Sequence, residues 1–175
     1  MHRFTELASR STSFTLMKLD EAENEIIGYL ETSAESRHIK NLQMLQLQRV
    51  VTAVGLFSIF DAILQDALSC KDGFKETRSI LLESGFTELN QEFGDYILAI
   101  NVLKHGRGRS YDELVVRRAS LKFEIKAEDE HFFDEGDISE VSTLIKADTK
   151  FVEECSRVID EVSAAVQLAK PNVIL

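Results

Sequence analysis

Apolar residues recur at three- and four-residue intervals along most of this chain, and that spacing predicts helices. From about Phe14, the positions Leu16, Leu19, Ile26, Ile27 and Leu30 form one apolar stripe, with Asp20, Glu21, Glu23 and Glu25 mostly outside it. Ser13 is placed to cap that first helix, which should end between residues 33 and 36. The next helix, about 39–69, is the longest. Its first half is amphipathic, while residues 50–64 (VVTAVGLFSIFDAIL) are apolar nearly all round. A helix without a polar face belongs in the middle of a bundle. Within it, Gly55 and Ser58 favour either close helix approach or a kink.

Lys71-Asp72-Gly73 breaks the pattern, and a shorter helix over about 74–84 turns Ile80, Leu81 and Leu82 inward. Gly85 suits its C-terminal end. Thr87 is placed to cap a helix over 88–104 through Leu89, Phe93, Tyr96, Ile97, Ile100 and Leu103, which Gly106 and Gly108 terminate. Residues 109–127 alternate in part and favour a short hairpin or extended arm, with Ser110-Tyr111-Asp112-Glu113 equally suited to a helical turn. Residues 127–140 carry seven acids with Phe132, Phe133 and Ile138 among them, the composition of a surface loop anchored by aromatics. A last helix over 148–168 begins at Asp148 or Thr149 and ends before Pro171. The expected fold is all-α: an up-and-down bundle of about five helices, with an irregular or short β-hairpin insert over about 109–147. Residues 1–13 read as a flexible polar lead-in, and 14–175 as a single domain.

Composition agrees with one soluble core. The 175 residues are 44% hydrophobic and 29% charged, with one proline and no tryptophan. The formal net charge of -10 opposes a protein that coats nucleic acid indiscriminately, because phosphate affinity comes from Lys and Arg. A small basic site on an acidic body stays compatible, since salt screens fields beyond roughly 10 Å. Cys70 and Cys155 form no CxxC pair, which fits two ordinary thiols in a reducing cytoplasm. The uncharged run 50–60 is too short to span a bilayer, so no membrane association is expected. No nucleotide-binding or metalloprotease fingerprint occurs, and neither cofactor nor metal is implied. His131 lacks local His or Cys partners, and His2 and His38 read as surface residues.

Chemistry concentrates in residues 100–110, INVLKHGRGRS. Asn101 and His105 are four apart and share a helix face. Lys104, Arg107 and Arg109 follow, and with Arg117, Arg118 and Lys122 make six cations in 104–122 against Asp112 and Glu113. An imidazole titrates near neutrality and can move a proton. Beside cations that stabilise phosphoryl oxygens, it suits metal-independent cleavage of RNA, the base taking the 2′-hydroxyl proton. The plainer reading is a histidine capping a helix end, and a basic run pairing with the acids of 127–140.

The order helix, Asn101, three residues, His105, Gly106 late in an α-bundle resembles the HEPN superfamily. That resemblance implies a small helical homodimer in the cytoplasm that binds RNA or a nucleotide. It also implies, for many members, a metal-independent endoribonuclease of toxin–antitoxin or phage-defence systems, with a nucleotidyltransferase-type antitoxin as protein partner. Other members are non-catalytic interaction modules. The family motif has an arginine where this chain has Ile100. On the resemblance, His105 and Asn101 are the catalytic candidates and Lys104, Arg107 and Arg109 the phosphate ligands, with one of these cations standing in for the missing arginine.

Overall fold

The computed structural model describes residues 4–31, 36–127, 129–133, 139–173 and 175. These residues form a bundle of six α-helices: α1 (Phe4–Leu30), α2 (Ser36–Leu68), α3 (Gly73–Glu83), α4 (Thr87–His105), α5 (Arg109–Val116) and α6 (Thr149–Ala169). His2 and Ile138 lie outside the described residues. Helix α6 is the apolar centre. Val152, Cys155, Val158, Ile159 and Val162 are fully buried, and α1, α2, α3 and α4 all pack on it. Its spacing of Phe151, Val152, Cys155, Val158, Ile159 and Val162 sets a continuous buried face. Asp148 fixes its start by accepting a hydrogen bond from the Phe151 amide at 2.9 Å.

An aromatic cluster joins the helices. Phe57 of α2 stacks on Phe93 and Tyr96 of α4, and Tyr96 continues to Phe123 and to Phe151 of α6. Between α2 and α3 the backbones nearly touch. A Cβ on Gly73 would lie 2.7 Å from the Asp61 carbonyl oxygen and from the Leu64 Cβ. Asp72 caps α3 by accepting from the Lys75 amide. The other end of α3 closes through Gly85, at φ +81, with the Phe86 amide donating to the Leu81 carbonyl at 2.9 Å. This is the left-handed turn that glycine permits without strain.

Several expectations change. The lead-in is helical from Phe4: Phe4 stacks on Phe60 at 6.1 Å, and Ala8 and Thr12 are buried. Phe4, Ala8, Thr12 and Leu16 share one face at four-residue spacing, but Ala and Thr carry too weak an apolar signal to show it. Ser13 is therefore interior, and Thr87 is the first residue of α4, not its cap, with Phe86 outside. His38 is buried and stacks on Tyr29, 5.6 Å between centroids. No hairpin is formed among the described residues. Among the described residues the 109–147 segment holds α5, a 3-10 turn over Arg118–Ser120 and one antiparallel bridge, Ile125 to Ile145. Tyr111 and Leu114, three apart and buried, make residues 109–116 amphipathic at helical period.

Helix α2 is also not enclosed. Val51 and Ile59 are more than half exposed. Over its best 18 residues α2 reaches a mean hydropathy of 1.6, enough by length and composition to cross a membrane.

Candidate anion site between three helices

A cleft of about 340 Å³ opens between α3, α4 and α5, and three arginines reach it: Arg78, Arg109 and Arg117. Arg78 comes from α3 and lies flat over Gly94 of α4. A Cβ at Gly94 would stand 3.1 Å from its Cζ and Nη2. Its Nε donates to Asn90 Oδ1 at 3.1 Å. Asn90 and Gly94 are one turn apart on a buried face, so α4 supplies both the shelf and the anchor for the guanidinium. Neither Arg78 nor Arg109 forms an ion pair among the described residues. Arg117 does: it pairs with Asp95, and at 3.6 Å with Glu113. Gln91, Ile97, Leu98 and Ser110 complete the wall, together with the two carboxylates that Arg117 engages, Asp95 and Glu113. The cap position of α5 is Gly108, which brings no side chain to its amides.

Of the five candidates from the sequence, Arg109 alone lines this cleft. Gly94, Leu98, Asn101 and His105 follow at spacings of four, three and four, so they share one face of α4. Asn101 is half-buried; Lys104 and His105 are exposed in the last turn, where the helix dipole favours cations. His105 stands seven residues beyond Leu98, about 10 Å along the axis. Gly106, at φ +72, closes α4 with its amide donating to the Val102 carbonyl at 2.8 Å. The chain then turns, so Arg107 leaves the cleft. It sits 5.9 Å from the Tyr111 ring centre and borders a different hollow beside Thr143 and Leu144. Ile100 is buried in the core, which explains why it carries no charge.

The other cations of the basic run are structural. Arg118 grips Glu130 at 2.8 Å, and Lys122 pairs with Glu92 at 2.8 Å. The expected pairing of this run with the acids of 127–140 is thus made by Arg118.

Sequence reasoning missed Arg78 because it lies 12 positions before its hydrogen-bond partner and belongs to no local motif. One signal was available in Gly94, since a glycine inside a helical pattern costs about 1 kcal/mol against alanine and so asks for a packing reason. Also missed was a second hollow, about 320 Å³, where α1, α2 and the start of α6 meet the insert. Buried Arg49 crosses its floor. Its Nη2 holds Asp20 at 2.8 Å and also Glu23, and its Nε donates to Thr149 Oγ1 at 3.2 Å.

Cys155 is fully buried, and burial pushes its thiol well above its ordinary value. Among the described residues no three His, Cys, Asp or Glu side chains are grouped to hold a metal. No family model, curated protein or solved structure matches the chain.

Proposed function

We propose that this chain binds RNA or nucleotide phosphate in the cleft of Arg78 and Arg109, with Asn101 and His105 on the same face of α4 meeting the continuation of the strand. One observation carries this reading: two arginines without carboxylate partners among the described residues converge on one cleft of an otherwise acidic protein. A guanidinium without a carboxylate is free to present its fork to phosphoryl oxygens. Arg109 and Arg78 supply from within the protomer the charge that Ile100 does not. The offset of about 10 Å between cleft and His105 exceeds one phosphate, so a ligand using both is a strand.

On such a strand His105 takes the proton of a 2′-hydroxyl. The 2′-oxygen attacks the adjacent phosphorus, the 5′-oxygen leaves and accepts a proton, and a 2′,3′-cyclic phosphate remains. Asn101 orients the ring or a phosphate oxygen, and Lys104 and Arg107 add positive potential beside it. The HEPN resemblance sets this activity in a cytoplasmic toxin–antitoxin or phage-defence pair. The second reading is a non-catalytic helical dimer that serves as an interaction module; the separation of exposed His105 from the cleft favours it.

Titrating a labelled single-stranded RNA and assaying its cleavage without metal separates the two. The expected result is a loss of affinity of about tenfold for Arg78→Ala and for Arg109→Ala, from one charged hydrogen-bonded contact each. Cleavage is lost in His105→Ala with binding retained. Binding without cleavage in wild type leaves the interaction module. Affinity unchanged in both arginine variants removes the cleft from the function.

A further inference from the structure

The hollow of about 320 Å³ where α1, α2 and the start of α6 meet the insert has a polar floor and an aromatic wall. Its floor is one face of α2, on which Gln46, Arg49 and Val50 stand at helical spacing. Arg49 is buried, with 5% of its side chain exposed. Its Nε and Nη2 are engaged with Thr149, Asp20 and Glu23, but Nη1 donates to nothing among the described residues. Gln46 is half-engaged in the same way. Its Oε1 accepts from the Val141 amide at 3.0 Å, while its Nε2 has no partner among the described residues. Two neighbouring N–H donor groups on one helix face thus border the hollow with hydrogen bonds still to make, and a buried donor left unpaired is costly. Phe132 and Phe133 supply the apolar wall with Val141 and Ala147. One carboxylate holds that wall in place: Glu140 accepts from the Phe132 amide at 3.1 Å and from the Phe133 amide at 3.4 Å while pairing with Lys126. Both rings are half-buried, and neither stacks on another aromatic ring among the described residues.

We propose that this hollow binds an uncharged, planar aromatic molecule that carries a carbonyl oxygen, an arylacetamide being the simplest case. The carbonyl accepts from Arg49 Nη1 and Gln46 Nε2. The ring lies against Phe132 and Phe133, where aromatic pairs gain beyond the burial of area. Volume sets the size: the hollow is about twice the roughly 150 Å³ cavity that admits benzene, so two fused rings fit. Charge sets the class. Arg49 meets two carboxylates, Asp20 and Glu23, while Lys126 meets Glu140 and Lys146 meets Glu124. Acids exceed bases by one among these groups, which opposes a carboxylate ligand. An ammonium ligand meets the opposite obstacle: the groups left to bond it are N–H donors, and like it they offer no lone pair. Lys150 adds one cation, but on the exposed rim two residues from Asp148, where solvent screens it. A neutral acceptor satisfies the donors without bringing an unmatched charge into the hollow. None of these residues lines the arginine cleft, so the proposal stands independently of any phosphate ligand there.

The test titrates three probes that share one ring into the full chain at neutral pH: indole-3-acetamide, indole-3-acetate and tryptamine, followed by calorimetry and by amide chemical shifts. The expected result is saturable binding of the acetamide at about 1 mM or tighter, the reach of a ligand of this size, with the acetate and the amine at least about tenfold weaker. The Gln46 side-chain amide and the backbone amides of Phe133 and Val141 shift on binding. Gln46→Glu keeps the oxygen that the Val141 amide needs, removes the Nε2 donors and weakens the acetamide by about fivefold. Phe133→Ala removes part of the aromatic wall and weakens it too. Both variants leave the Arg49 ion pairs in place, so helical content is retained. An acetamide that does not bind, or that shifts only residues outside the hollow, overturns the proposal, as does an affinity unchanged in both variants. Acetate or tryptamine binding more tightly than the acetamide overturns it too, assigning the hollow to a charged ligand.

Discussion

Gly94 and Arg78 show how one missing side chain shapes a site. The guanidinium lies where a Cβ at 94 would be 3.1 Å away, within tight but yielding range of a flexible side-chain end. Alanine in mid-helix is better than glycine by about 1 kcal/mol. Gly94→Ala should therefore leave stability equal or slightly higher while shifting Arg78 and weakening RNA binding severalfold. Thermal unfolding and a binding titration on one preparation check both directions; lower stability with unchanged affinity would show that Arg78 does not serve the cleft. Arg49 offers the contrasting case. Its burial disfavours the charge, but its hydrogen bonds to Asp20 and Glu23 outweigh that and raise its pKa further. With both carboxylates engaged, this arginine fastens α1 to α2 and to Thr149 of α6.

At the scale of elements, the insert between α5 and α6 is held by charge more than by a sheet. Lys126 and Glu140, both largely buried, pair at 2.5 Å, and Glu140 also accepts from the Phe132 amide at 3.1 Å. Burial pushes the Glu140 carboxyl up, but the Lys126 hydrogen bond and charge and the amides of Phe133 and Phe132 outweigh it and hold it below 4.5. Glu130 is held low as well, by the Ala127 amide first and then by Arg118. Carboxyls with depressed pKa stabilise the folded form above their unfolded values and lose that contribution as pH falls through the folded ones. The insert should thus loosen below about pH 4.5, before the core does. Hydrogen exchange followed from pH 6 to pH 3 should show amides near 124–133 and 139–146 losing protection before those of α6. Simultaneous loss would place the insert within the cooperative core.

For the whole molecule, the net charge of -10 would make the proposed phosphate binding a local event. Arg78 and Arg109 line one cleft, where a bound phosphate would meet their charge, while the body repels a polyanion at longer range. Binding to a single strand should fall with salt at a log–log slope of about -1.4, two phosphates at roughly -0.7 each, and Arg109→Ala should make it shallower by about 0.7. A slope near zero would mean that no phosphate is neutralised in the cleft.

The sequence by itself determined the helices with strong periodicity. The spans of α2, α3, α4 and α6 lie within three residues of the pattern's limits, because their apolar stripes and caps are local properties of the chain. It also determined that Asn101 and His105 share a face, since four-residue spacing does so in any helix. Weakly apolar Ala8 and Thr12 hid the start of α1. The short period over 109–116 fitted a turn of helix as well as an arm. Only the tertiary structure decided which faces are covered. Val51 and Ile59 read as core because composition records hydrophobicity and not neighbours, yet no helix among the described residues covers them. The cleft is equally a tertiary product: Arg78, Gly94 and Arg109 stand on three helices, and their meeting depends on how α3 and α5 pack against α4. Charge told the sign of a ligand the site would accept; position in three dimensions decided which arginines remain for it and which are spent on Asp95 and Glu130.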